Sequence, residues 1–316
     1  MFNTGICTLF SPSNRFRPMD LYDPLDPKQF GLWQARVDYY PEGGTLGGDT
    51  ITAAILPVYT ANKVPPLGSR WWGAFANNPI VGHILEDYPD ISLENIDYFA
   101  RYKTTRNGWD FFLSANTGLS PYSVIKREGA TYVEEIIRIY TLAGGFSTTM
   151  DGFEIHGETL YNMSDGDKDQ DYLSSVLGFT YTFGENVRHV FMEEIVFTLE
   201  YSRELILDQQ RADNYIINSQ EGRAGTNDLL SRIQFKYDQN LTFENLFHYD
   251  ISDQAWMNRV EITYRLGAGW TTNGAFEIFG SQNDFVPVSG WLNFDNISYV
   301  QWKNNDRVVV YVTYKF

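Results

Sequence analysis

Thirteen times along the chain, apolar and polar residues alternate with period two, and the connections between these stretches alternate between short and long. The stretches lie near 30–40, 48–58, 94–103, 108–118, 132–148, 152–162, 171–183, 189–202, 228–238, 240–250, 255–267, 270–280 and 306–316. Period two is the signature of a strand with unlike faces. Short links fall at Thr104–Asn107, Thr149–Asp151, Gly184–Arg188, Asp238–Asn240 and Gly267–Gly269. Long ones fall between them at Tyr59–Leu93, Leu119–Thr131, Met163–Gln170, Arg203–Asn227 and Ser281–Asn305. Only the link at Ser252-Asp253 is short in a long slot. A soluble sandwich has no reason to sort its loops by parity. A transmembrane barrel does, with short turns on one side of the membrane and long loops on the other.

The faces carry the same message. In the final stretch, Val308, Val310, Val312, Tyr314 and Phe316 point one way, and Arg307, Val309, Tyr311, Thr313 and Lys315 the other. In 152–162, Phe153, Ile155, Thr159 and Tyr161 oppose Glu154, His156 and Glu158. In 189–202, Phe191, Ile195, Phe197, Leu199 and Tyr201 oppose Glu194, Thr198, Glu200 and Ser202, with Glu193 misplaced on the apolar face. Further along, Arg232, Gln234, Lys236, Glu244, His248, Arg259, Glu261 and Arg265 occupy the polar face of three more stretches. A packed soluble core would not tolerate so many charges. A water-filled lumen would, with the apolar face turned to hydrocarbon.

Composition fits this arrangement. Aromatic residues make up 16% of 316 residues, enough to supply girdles at two membrane interfaces. Mean hydropathy is −0.32 and no apolar run approaches the length of a spanning helix, which excludes helical spans and leaves strands. Cys7 is the lone cysteine, so there is no disulfide framework and no cysteine-rich metal site. A formal charge of −16 argues against nucleic acid as a partner. The first ten residues lack the basic region and cleavage site of a signal peptide. A barrel needs export, so the sequence is expected to be a mature or engineered chain, or to lack its true N-terminus.

The expected fold is therefore a single all-β domain over 1–316, an antiparallel transmembrane β-barrel. Residues 2–10, read as one further outward strand, bring the count to about fourteen, or 16–18 if upstream strands are missing. The proline-rich run 11–27 is unsuited to a sheet.

The C-terminal strand resembles that of Gram-negative outer-membrane β-barrel proteins, in which a terminal Phe after alternating apolar residues is read by the assembly machinery. Asp20-Leu-Tyr-Asp-Pro-Leu-Asp-Pro27, Ala35-Arg-Val-Asp-Tyr-Tyr-Pro41, Ala54-Ile-Leu-Pro-Val-Tyr59 and Arg70-Trp71-Trp72 are similar to a segment of porin-like outer-membrane proteins related to the alginate-export group. The likeness covers residues 5–75 and the last strand. It implies earlier strands upstream and an outer-membrane location, and nothing about substrate.

The expected function is a porin-like channel for passive diffusion of small polar or ionic solutes. Glu154, His156, Glu158, Glu194, Glu200, Arg232, Lys236, Glu244, Arg259, Glu261 and Arg265 would line it. Glu154, Glu158, Glu194 and Glu200 sit apart from Arg232, Lys236, Arg259 and Arg265. They either set up a field favouring cations or pair locally and only hydrate the wall. Arg70, Trp71, Trp72 and Phe75 lie in the longest loop and are the candidates for a constriction, if that loop folds inward rather than over the rim. His156, between two glutamates, is a candidate pH-sensing group.

Two alternatives stand beside the porin. One is a substrate-specific channel with a loop-plugged lumen, for a polysaccharide or an apolar substrate. The other is a structural or interaction barrel forming the sheath of a larger complex. No nucleophile elbow or zinc motif is present, so an enzyme is not expected. No cofactor or metal is expected either. Ser164–Asp171 alternates four aspartates but has Gln170 where a helix–loop–helix calcium site needs glycine, so it reads as a solvated acidic turn. His83, His156, His189 and His248 lack metal-ligand spacing. The expected partners are outer-membrane lipid and small solutes, with a homo-oligomer or an outer-membrane complex left open.

Overall fold

A computed structural model describes the chain except for residues 1–4, 15–16, 26, 42–47, 64, 66–68, 72–83, 88, 91, 185–186, 188–191, 284–298, 301 and 316. Thirteen strands form one antiparallel meander in which each pairs with its sequence neighbour. They are β1 (Ala35–Tyr39), β2 (Thr50–Leu56), β3 (Asp97–Arg106), β4 (Trp109–Leu119), β5 (Arg138–Met150), β6 (Phe153–Ser164) and β7 (Asp171–Phe183). The series continues with β8 (Glu194–Asp208), β9 (Asn227–Lys236), β10 (Leu241–Asp250), β11 (Ala255–Gly267), β12 (Trp270–Ser281) and β13 (Arg307–Tyr314). β1 and β13 are the two ends of the sheet and, the count being odd, run in the same direction.

The thirteen period-two stretches correspond to these thirteen strands, with three differences. The stretch at 132–148 is broken at Ile136-Ile137: Thr131–Glu135 leaves the meander and joins a smaller sheet. The stretch at 189–202 is shifted to 194–208, so Glu193 is not a charge in the apolar face. It sits in the turn before β8, where its amide donates to the Lys236 carbonyl at 2.9 Å. Residues 5–10 are not a fourteenth strand. Their amides find carboxylates instead of a neighbouring backbone, as described below. The terminal Phe316 lies outside the described residues.

Loop parity holds. β3–β4, β5–β6 and β11–β12 are joined by the two-residue turns Asn107-Gly108, Asp151-Gly152 and Ala268-Gly269, with φ of 51° and 80°, 48° and 80°, 48° and 84°. Positive φ at both positions is the primed turn whose twist matches a tight hairpin, and glycine takes the second position without penalty. On the opposite side, the long connections contribute Tyr215–Ile217, Val124–Glu128, Thr131–Glu135 and Ile84–Asp87 to a four-stranded sheet in that order. The long-loop end is thus built up.

The two faces of the meander differ as the period requires. Val308, Val310 and Val312 are 71%, 72% and 57% exposed, and Leu177, Val260, Ile262 and Tyr264 are exposed on the same face. Apolar groups in such numbers on an outer surface mark contact with something other than water. Aromatic rings on this face gather at the short-turn end. Trp109 stacks on Phe111 at 6.1 Å, Phe179 contacts both Phe153 (5.4 Å) and Phe197 (5.8 Å), and Trp270 meets Tyr314 at 4.8 Å. Such a belt marks a hydrocarbon–water boundary.

The inner face is polar, and register aligns it. Glu154, Thr180, Thr198, Arg232, Leu246, Arg259, Glu277 and Arg307 stand opposite one another in one row from β6 to β13. The next row, toward the long loops, runs His156, Gly178, Glu200, Leu230, His248, Met257, Phe279.

Candidate functional site

The described residues between 5 and 25 lie along the inner face as a strap, pinned at both ends. At the first end the peptide N–H groups of five successive residues turn onto two wall carboxylates. Glu158 accepts from the Ile6 amide, from the Cys7 amide at 2.7 Å, and from the hydroxyls of Ser11 (2.8 Å) and Ser13 (2.9 Å). Glu200 accepts from the amides of Thr8 (2.8 Å), Leu9 (3.0 Å) and Phe10 (2.9 Å). Such charge-assisted bonds are about twice as strong as neutral ones. They also explain why the segment is no strand: its donors are spent on side chains. Both carboxylates are buried, Glu200 completely.

Beside them His156 is fully buried, its Nε2 3.1 Å from Glu200 and its Nδ1 3.5 Å from Glu154. Gly178 stands between His156 and Glu200 in the register. A Cβ there would lie 2.7 Å from His156 Nε2 and 2.5 Å from Glu200 Cγ, so the missing side chain is what lets the two meet across an intervening strand.

At the second end, Asp23 accepts from Arg307 at 2.7 and 3.0 Å, and the Leu25 carbonyl accepts from Arg259 at 3.2 Å. Glu277, fully buried, is bonded by Arg307 and lies 3.3 Å from Arg259. Each anchor also has an apolar component. Ile6 packs on Phe112, Ala143, Leu160 and Tyr172, and Leu25 on the cluster of Trp71, Met257, Phe279 and Trp302. Between the anchors, the Met19 amide donates to the Asn62 side chain, the Leu21 amide to the Lys63 carbonyl and the Lys63 amide to the Met19 carbonyl.

The constriction candidates divide. Trp71 is buried on the inner face, edge-on to Trp302 at 4.9 Å, and Arg70 bonds Asn305 at 2.9 Å. The loops after β2 and β12 therefore meet inside. Trp72 and Phe75 lie outside the described residues.

The predicted lining residues all stand on the inner face, but their charges are largely engaged. Lys236 pairs with Glu194, Arg259 with Glu261 at 2.6 Å, and Gln234 donates to Glu244 at 3.0 Å. Arg265 reaches the Gln239 carbonyl at 3.3 Å near the short-turn end. Glu154 and Glu200 sandwich His156, and Arg232 stands one row below Leu230. Of the two readings of these charges, local pairing describes Glu194, Lys236, Arg259 and Glu261. Glu158 holds the strap, and Glu200 holds it while also pairing with His156.

Three participants were not among the sequence candidates. Glu277 was legible, since it shares the parity of Ala275 and Phe279 on the inner face of β12. Asp23 and Gly178 carried no such signal: one sits in a proline-rich run and the other is a glycine among apolar residues.

The aspartate-rich turn is not simply solvated. The Asp169 carboxylate is buried and accepts from the Ser219 amide at 2.9 Å, and Asp171 accepts from the Ser164 amide at 2.8 Å. Lys168 reaches Glu135 of the long-loop sheet at 2.9 Å. Among the described residues no three His, Cys, Asp or Glu side chains are placed to hold a metal. His83 and His189 lie outside that set.

Glu135 is the electrostatic centre of the long-loop sheet. Burial works against its charge, but hydrogen bonds from Lys126, Lys168 and Tyr215 outweigh it and hold the carboxyl below the usual glutamate range. A depressed carboxyl stabilises the folded form above its unfolded pKa, and that stabilisation is lost as pH falls through the folded value. We expect the long-loop sheet to loosen as pH drops below the ordinary glutamate value of about 4.3. Amide exchange over 124–135, followed against pH, should show this step, and Glu135→Gln should abolish it.

No family model matches the chain, and no curated protein does. Among solved structures, a triple mutant of the Rhodopseudomonas blastica porin is similar at 12% identity and a TM-score of 0.36, covering 78% of this chain and 84% of that one. A second mutant of that porin is similar at 11% identity and the same TM-score, with the same coverage. The Ralstonia pickettii toluene transporter TbuX is similar at 9% identity and a TM-score of 0.32, covering 80% and 76%. At these scores the barrel reading rests on the sheet and its two faces.

Proposed function

We propose that the protein is an outer-membrane β-barrel of Gram-negative bacteria that passes small polar or ionic solutes, with a lumen closed at rest by the strap. It is a channel, with no chemical step and no cofactor. The observation that carries this reading is the donation of five successive strap amides to two buried wall carboxylates. The apolar outer face, the aromatic belt and the sorted loops support the membrane location. The strap and the inward loop at Trp71 support a plugged lumen over an open one.

Passive, cation-preferring diffusion past the strap is the second reading. It is favoured by the polar rows nearer the short turns, where Glu194, Lys236, Gln234, Glu244, Glu261 and Asn273 bond one another rather than the strap. Planar-bilayer recording of the refolded protein separates the two. The plugged reading expects long closed periods and rare, brief openings. A steady ohmic conductance, with a reversal potential favouring cations under a salt gradient, would replace it with the second.

A further inference from the structure

Two buried carboxylates with seven donors converging on them make a cradle for something rich in N–H and O–H groups, and the strap is what occupies it. The wall supplies Glu158, Glu200 and, beside His156, Glu154. The strap supplies five peptide N–H groups and two serine hydroxyls. Remove the strap and the carboxylates lose every one of those donors, while Glu200 keeps its contact with His156. Buried carboxylates do not stay uncompensated: they recruit a cation or protonate.

A second observation shows that the strap fits the cradle incompletely. His156 is wholly buried, yet among the described residues its Nδ1 has no hydrogen-bond partner. It lies 3.5 Å from Glu154, whose side chain is 33% exposed. A peptide backbone fills the Glu158 and Glu200 positions and leaves the third side of the cradle unsatisfied.

We propose that Glu154, Glu158 and Glu200 form the docking site of the transported solute, a small organic cation bearing several N–H donors, and that the strap holds this site as a built-in competitor. The inference rests on the plugged reading above and names the solute class for it. A polyamine offers spaced ammonium groups in place of the strap's spaced amides, and adds the positive charge that backbone amides lack. The charged group facing the cradle from a neighbouring element is Arg101 on β3, which interacts with Glu158 and whose guanidinium lies 4.7 Å from the Phe112 ring.

Cys7 supplies a reporter without mutagenesis. It is the one cysteine in the sequence, it is buried, and its amide is bonded to Glu158. Burial, and then the charges of Glu158 and Glu200, push its thiol up, so it is an unreactive thiol while the strap is seated. Release of the strap removes all three causes.

The experiment follows labelling of Cys7 by a small neutral maleimide in the refolded full chain in detergent. Labelling is measured with spermidine, and with sodium chloride at equal ionic strength. Spermidine should raise the labelling rate about tenfold, as expected for competition against a handful of charge-assisted bonds, and sodium chloride should not. In Glu158→Gln/Glu200→Gln the rate should be high at the outset and spermidine should add little. If Cys7 is protected and spermidine does no more than sodium chloride, the strap stands as a plug but the solute class is overturned. If Cys7 labels at the rate of a free thiol with nothing added, the strap is not seated and the plugged reading itself fails.

Discussion

Replacing Glu158 and Glu200 together by glutamine should turn a mostly silent barrel into one that opens freely, raising the open fraction in planar bilayers roughly a hundredfold. Seven strap donors lose a charged acceptor in this variant. Hydrogen bonds to a charged partner contribute about 1.5–3 kcal/mol each, against about 1 for neutral ones. Summed naively, the loss is large, but two effects reduce it. Glutamine keeps one acceptor oxygen at each site, and relieving two buried charges is itself favourable. We therefore expect a net weakening of the seated strap of about 3 kcal/mol, roughly the hundredfold stated. Ile6 and the Leu25 end keep their contacts, so the strap is released more often without being lost. An unchanged open fraction would mean that the carboxylates position the strap without holding it.

The largest expected effect on stability comes from Glu277. It is fully buried between Arg259 and Arg307, and both arginines have side chains only 13% exposed. Truncation in Glu277→Ala leaves two cations facing each other with less water than they need. Breaking a buried pair by removing one partner costs about 3–5 kcal/mol. Arg259 keeps Glu261 and Arg307 keeps Asp23, so the lower end, about 3 kcal/mol, is expected. The check is the urea midpoint of the refolded protein, read from the shift between folded and unfolded bands in detergent gels. Replacing Arg307 and Glu277 together by leucine should recover part of the loss, because the apolar pair strands only Asp23, which is 36% exposed, in place of a buried arginine. If Glu277→Ala unfolds at the wild-type midpoint, water reaches this row freely and the inner face there is not dry.

The strands and their faces were legible because a single physical rule writes them. Period two places Phe153 and Ile155 outside and Glu154, His156 and Glu158 inside whatever the rest of the chain does. The Asn107-Gly108 and Asp151-Gly152 turns mark hairpins by the same local chemistry. Ile136-Ile137 hid a break because an apolar pair interrupts alternation no more visibly than a bulge would. The strap was not legible at all. The contacts of its two anchors join residues 145 to 284 positions apart, and its own sequence alternates nothing. The inner-face carboxylates were correctly placed, but their parity could not say whether water, a lysine or a strap amide would meet them. Glu194 meets Lys236 and Glu200 meets Thr8, Leu9 and Phe10, and only the register and the fold of residues 5–25 distinguish the two outcomes. The glycine at 178 shows the same limit: its role is the space it leaves between His156 and Glu200, which a one-dimensional pattern does not contain.

The channel and its strap depend on which face of the meander meets hydrocarbon. The direct measurement is a spin-label scan of single cysteines at positions 260–265 of β11, in a Cys7→Ser background reconstituted in lipid vesicles. Val260, Ile262 and Tyr264 are exposed on the outer face, and Glu261, Thr263 and Arg265 alternate with them. Labels at 260, 262 and 264 should be relaxed by molecular oxygen, which partitions into the bilayer. Labels at 261, 263 and 265 should be relaxed by a water-soluble nickel chelate. An inverted alternation, or equal nickel accessibility at all six positions, would contradict the account, because the apolar face would then not lie in the membrane.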